Sequence, residues 1–292
     1  MRSIPTLLLI LALSLATLGC ATSAGQWAES VSTADHEDET LDPAIIEARS
    51  KFKDGDDESS LRAAIDSMER LLDRAPSNRK LRVDLAEAHT LLGAAYATSR
   101  GQKRSAFLAA QHHAEQALLT RPEFRNAIRA GQRSGLAAEH LEKEDVPAMV
   151  IWATATAYLF DEGMTPIGRA LNYRGLEDLR LIMERALDLN PEYEYGLVPF
   201  SLAIFHIATP GFAGGDLDQA KLLMEQAIDT PGHSLMPRWG RARYLHPLTS
   251  DQESRRADLE WILAQDAHMA DSPYHWNVYV QRDARRMLAE LD

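Results

Sequence analysis

Glycines 211, 214 and 215 cluster in "TPGFAGGD", directly before a helix pattern. Such a turn can cradle a phosphate, because free backbone N–H groups and the helix dipole both favour an anion. The spacing here argues against it. A dinucleotide loop needs G-x-G-x-x-G after a strand, and a P-loop needs G-x-x-x-x-G-K-[ST]. The chain has neither spacing nor the lysine, and the preceding "GLVPFSLAIFHIATP" has the composition of a buried helix. Asp216 follows as a good helix N-cap, and its carboxylate would repel an anion. The loop is expected to turn the chain between two helices.

The histidines are the next groups with chemical potential. His112 and His113 are adjacent, so on a helix they diverge by about 100° and cannot chelate one metal together. His36 lies in an acidic segment, and His268 and His275 flank "MADSPY". None has a second ligand at helical spacing, no H-E-x-x-H occurs, and these residues are expected at the surface or lining a groove. The acidic "DGDDE" (54–58) lacks the twelve-residue calcium loop and its closing glutamate. No G-x-S-x-G is present. Glu69, Glu115, Glu184 and Glu225 occupy equivalent polar helix positions, which is the pattern of a solvated face. No catalytic, cofactor-binding or metal constellation emerges, so no enzyme is expected. A formal net charge of −12 disfavours nucleic-acid partners.

The C-terminal stretch "YHWNVYVQRDARRMLAEL" is richer. Trp276, Tyr279, Val280, Ala284, Met287 and Leu288 fall near one helical face, while Asn277, Gln281 and Arg285 step by four along another. One reading is a capping helix whose polar stripe bonds the backbone of neighbouring loops. The other makes Trp276, Asn277, Gln281, Arg282 and Arg285 a ligand or partner surface.

The elements that must position these residues divide the chain in three. Residues 1–19 carry Arg2 and the apolar run "LLLILALSLATL", too short for a stable membrane span but suited to a signal peptide. The run ends in "ATLGC", similar to a bacterial lipobox, with Gly19 before Cys20, the chain's one cysteine. Thr17 and Leu18 depart from the usual lipobox residues. Lipidation at Cys20 is expected, with no intrachain disulfide. Ala21, not Asp, follows, which in a two-membrane host points to the outer membrane. Residues 20–42 read as a flexible acidic tether. Residues 43–292 read as a single helical domain.

Within that domain a spacing recurs. Ala64, Met68, Leu71 and Pro76 stand at intervals of 4, 3 and 5, as do Ala110, Ala114, Ala117 and Pro122, and Leu179, Met183, Ala186 and Pro191. Steps of 4 and 3 stack on one helix face, and the proline stops the helix. This is the second-helix half of a tetratricopeptide-like hairpin. Leu92, Gly93 and Tyr96 match the first-helix Leu-Gly-x-x-Tyr signature, with Gly93 as the point of close approach. The repeats are irregular, because Pro76, Pro122 and Pro191 are unevenly spaced. The fold class expected is all-α, an irregular α-solenoid of tetratricopeptide-like hairpins. Helices are expected near 123–142, 145–162, 165–189, 216–229, 251–268 and 275–291.

The order of segments resembles the T-component (TatT) family associated with TRAP-type transporters. The resemblance rests on "LIMERALDLNPEYEYG" (181–196), "ATPGFAGGDLDQAKLLMEQAI" (208–228), "ARYLHPLTSDQESRRADLEWIL" (242–263) and "NVYVQRDARRMLAELD" (277–292), with "IWATATAYL" (151–159) similar to the family's Trp-Ala segment. It covers about residues 60–292. "LTSDQ" departs somewhat from the family pattern, and Met287 stands in place of a leucine. The resemblance implies a periplasmic lipoprotein without enzyme activity. It implies self-association as trimers, binding to the transporter's solute-binding P-component, and a role in passing a hydrophobic or organic-acid ligand. The membrane would be met only through the lipid. From the residues alone, a general repeat scaffold for envelope assembly remains the alternative.

Overall fold

The computed structural model describes residues 27, 43–172 and 174–291. Cys20, the expected signal peptide and all of the expected tether except Trp27 lie outside the described residues. Among the described residues the fold is all-α, with no strand, and no helix is long and apolar enough to cross a membrane.

The chain opens with α1 (Pro43–Asp54), α2 (Glu58–Leu72), α3 (Arg79–Leu91) and α4 (Arg100–Leu118). Then come the short α5 (Pro122–Arg129) and α6 (Ser134–Ala137), followed by α7 (Val146–Tyr158), α8 (Pro166–Asn172) and α9 (Arg174–Leu189). The remainder is α10 (Leu197–Ala208), α11 (Leu217–Asp229), α12 (Met236–Gly240), α13 (His246–Thr249), α14 (Gln252–Leu263) and α15 (Tyr274–Ala289). Starts are set by local chemistry. Asp57 and Ser99 close capping boxes with Ser60 and Gln102, while Asn78, Asp216 and Asp251 each accept from a free N–H of the first turn. The acidic "DGDDE" segment is thus the entry to α2.

Consecutive helices pack side by side: α1 with α2, α3 with α4, and α10 with α11. Every non-proline residue of the recurring 4-3-5 spacing is buried, from Ala64, Met68 and Leu71 to Leu179, Met183 and Ala186. The structure adds a fourth set, Ala220, Met224 and Ala227 on α11. Fully buried Ala110, Ala114 and Ala117 let α3 and α7 approach α4 closely. Gly93 is the close-approach point it was expected to be, since an added Cβ would stand 2.4 Å from the Phe107 ring. Helix α7 is buried almost all round, through Val146, Met149, Val150, Ile151 and Trp152 among others, as befits a central helix.

Four expectations need correction. The helix expected over 123–142 breaks at Gly131, whose φ of 86° ends α5 in the left-handed region. Glu115 is not on a solvated face: it is buried beneath Trp152, which donates to it from Nε1 at 3.2 Å. His275 is not a surface residue but a core ring, 4.3 Å from Phe52 between centroids. Trp27, placed in the flexible tether, is half-buried against the core, edge-on to Phe124 at 5.4 Å and stacked on Trp152 at 6.0 Å.

Candidate ligand cavities

Three helices run into π-helical turns: α3 into Leu92–Tyr96, α7 into Leu159–Gly163, and α12 into Arg241–Leu245. Such turns are rare and cluster at functional sites, because the extra residue pushes side chains and carbonyls out of register. Here all three supply walls to one pair of neighbouring cavities. The first turn contributes Ala94 and Ala95, the second Phe160, Asp161 and Glu162, and the third Arg243 and Tyr244.

The larger-walled cavity holds about 330 Å³ and is mostly apolar. Ala157 and Phe160 reach it from α7 and the turn that follows, Leu179 from α9, Phe200 and Ile204 from α10, and Trp239 from α12. Thr154, Ser201 and Thr209 add isolated hydroxyls, and an Arg169–Asp161 ion pair at 3.6 Å adds charge to the wall. A small apolar chamber with a few polar groups is the usual form of a ligand site.

The neighbouring cavity, about 350 Å³, has the opposite character. Lys103, Arg243, Arg282 and Arg286 line it against two carboxylates, Glu162 and Asp283. Lys103 pairs with Glu162, while Arg243 and Arg286 each reach Asp283 at 2.7 Å. Burial alone would raise the Asp283 carboxyl, but hydrogen bonds from Arg286, Arg243 and Trp239 outweigh it and hold the group below its usual range. Even with Asp283 ionised, four cations against two carboxylates leave the lining an excess of positive charge in an acidic protein, a local field that favours an anion.

A layer of aromatic rings separates the two. Trp239 faces the apolar chamber, yet its Nε1 donates at 2.9 Å to Asp283 in the basic one. The Arg243 guanidinium lies 5.3 Å from the centroids of both Trp239 and Tyr244. Tyr158 also belongs to this layer, and burial pushes its phenol well above its usual pKa, so it stays neutral. The arrangement offers an apolar volume and a cationic volume within reach of one amphipathic molecule.

Four of the five residues singled out on α15 divide between two roles, and the fifth takes neither. Trp276 and Asn277 are buried, and Asn277 Nδ2 donates to Ala267 O at 2.9 Å and Ser272 O at 2.8 Å. Gln281, also buried, donates to Gln265 O at 2.8 Å and Ile262 O at 3.2 Å. These two amides close the loop between α14 and α15, which is the loop-bonding role of the first reading. Arg282 lines the basic cavity, donates to Ala95 O at 2.8 Å and lies 5.2 Å from the Tyr96 ring. Arg285 is exposed and lines neither cavity. The face of α15 that meets the cavity is Tyr279, Arg282, Asp283 and Arg286, at spacings of 3, 4 and 7. That helical spacing was present in the sequence, one position round from the stripe chosen. Arg243, Lys103 and Glu162 carried no such signal, because only the fold joins their helices.

The glycine turn lines neither cavity. Pro210 O receives both the Ala213 and Gly215 N–H groups, and Asp216 spends its carboxylate on the start of α11. The loop's own bonds leave it a structural turn.

No curated protein matches the chain. A family model does, over residues 58–292, the span that runs from α2 through all three π-helical turns and both cavities to the end of the chain. The chain belongs to the family described as TRAP transporter T-component.

Proposed function

We propose that the protein is a non-enzymatic accessory component of a TRAP-type uptake system that docks the solute-binding P-component and shelters a small amphipathic acid. Family membership supports the transport role. The observation that carries the ligand class is the apolar chamber lying against a cationic one across Trp239 and Arg243. A hydrocarbon portion fits the first and a carboxylate suits the second. The chain is held to the periplasmic face of the outer membrane by lipid on Cys20. It self-associates as a trimer, for which the exposed Phe212, Leu217 and Leu222 around the glycine turn and α11 offer apolar surface.

Native mass spectrometry of the lipidated protein taken from its own envelope tests this. The expected species contains the P-component and a retained organic acid. Ser201→Trp, which fills the apolar chamber, should lose the acid and keep the P-component. Repeated failure of the P-component to co-purify with lipidated and soluble forms would sink the proposal, and recovery of envelope-assembly proteins instead would favour a general scaffold.

A further inference from the structure

Away from the cavities, three helices bring together Glu69 from α2, His89 from the last turn of α3 and His113 from α4. One ligand atom of each lies within 4.8 Å of the others. The two imidazoles lie nearly parallel, 5.6 Å between centroids with 10° between planes. His89 Nε2 stands 3.5 Å from Glu69 Oε1, at the long limit for a hydrogen bond. Both His89 Nε2 and His113 Nδ1 are buried without any hydrogen-bond partner. Unpaired buried nitrogens carry a desolvation cost, and two of them gathered beside a carboxylate call for a shared occupant.

We propose that Glu69, His89 and His113 form a binding site for a divalent transition-metal ion of the zinc class. The geometry is close to what such an ion needs. Bonds of about 2.0–2.1 Å in a tetrahedron place ligand atoms about 3.4 Å apart. The His89–Glu69 pair already stands near that spacing, and a His113 ring nitrogen lies within 4.8 Å of both. Two imidazoles and one carboxylate suit zinc, copper or nickel and disfavour calcium or magnesium, which want oxygen alone. Arg82 opposes a cation here, since its charge reaches both His113 and His112, and the Glu69 carboxylate offsets it. Glu69 is half exposed, so a fourth position faces solvent.

The sequence concealed the site for a simple reason. His112 and His113 do diverge, as their adjacency requires, and His112 is exposed. The partners of His113 come from other helices, 24 and 44 positions earlier in the chain.

The test uses the full chain, stripped with chelator and titrated with Zn²⁺ in competition with a chromophoric chelator. One equivalent should bind, and Co²⁺ should give the visible absorption of a four-coordinate ion. His113→Gln and Glu69→Gln should each weaken Zn²⁺ binding about tenfold or more, whereas His112→Gln should leave it unchanged. Circular dichroism of the metal-free variants guards against misfolding. If a variant does not fold, a Zn²⁺-dependent rise in the Tm of the unaltered protein, absent with Mg²⁺, stands in for it. No stoichiometric binding, or equal loss in His112→Gln, would overturn the proposal and leave the cluster as a water-filled recess.

Discussion

Glu115 carries its carboxyl group into the core, with the Trp152 indole as its hydrogen-bond donor. Burial pushes its pKa from 4.5 up to about 8, against the smaller downward pull of that bond. The folded state therefore binds a proton that the unfolded state releases between those two values. Stability is highest below about pH 4.5 from this group and falls as pH rises toward 8, by up to about 1.4 kcal/mol per unit. Glu115→Gln keeps an acceptor for Trp152 and removes the ionisation. Thermal unfolding should show the variant more stable than the parent at pH 8, with the two curves meeting near pH 4; parallel curves would refute the assignment. Asp258 shows the opposite case. Burial alone would raise it, but Arg241, His246 and Arg238 surround the carboxylate and hold it down at about 2. Glutamates 69, 184 and 225 do remain on the outer side of their helices, half-buried or exposed. Helix spacing could place Glu115 beside them but could not say that α7 would cover it.

At the scale of elements, the turn between α10 and α11 is set by two glycines for different reasons. Gly214 holds φ at 99°, which other residues adopt only with strain. At Gly215 an added Cβ would stand 1.7 Å from the Thr209 carbonyl oxygen, so the backbone itself must move. Gly215→Val should cost about 3 kcal/mol or abolish folding, while Gly211→Ala, which meets nothing within 4 Å, should stay within about 0.5 kcal/mol. Urea unfolding of both measures this. Equal stability would show that the turn is not a fixed point of the fold. Nucleotide affinity lost from a fully stable Gly215→Val protein would revive the phosphate cradle. Residues such as Met68, Ala114 and Met183 were legible as core because a 4-3 spacing survives every change of neighbour. The π-helical turns were not, because one extra residue in a turn leaves no mark on a pattern read at 3.6 residues per turn.

At the scale of the whole molecule, the expected order of segments corresponds to the family match over residues 58–292. The cavities did not follow from it, since they depend on where Arg243, Lys103 and Glu162 meet in space. Trp27 belongs to the same class of contact, because nothing near it in the sequence announces Phe124 and Trp152 as its partners. With the lipid proposed on Cys20, its docking has a consequence for geometry at a bilayer. From a lipidated Cys20, 23 residues to Pro43 could let the domain stand off by as much as about 80 Å; seven residues to Trp27 limit that attachment point to about 25 Å. Trp27→Ala should therefore lower energy transfer between a headgroup dye and a fluorophore placed on α5, and unchanged transfer would mean that the indole does not hold. If transfer falls, one aromatic side chain sets how high the domain rides on its proposed anchor, and so how far the proposed P-component partner must travel to meet it.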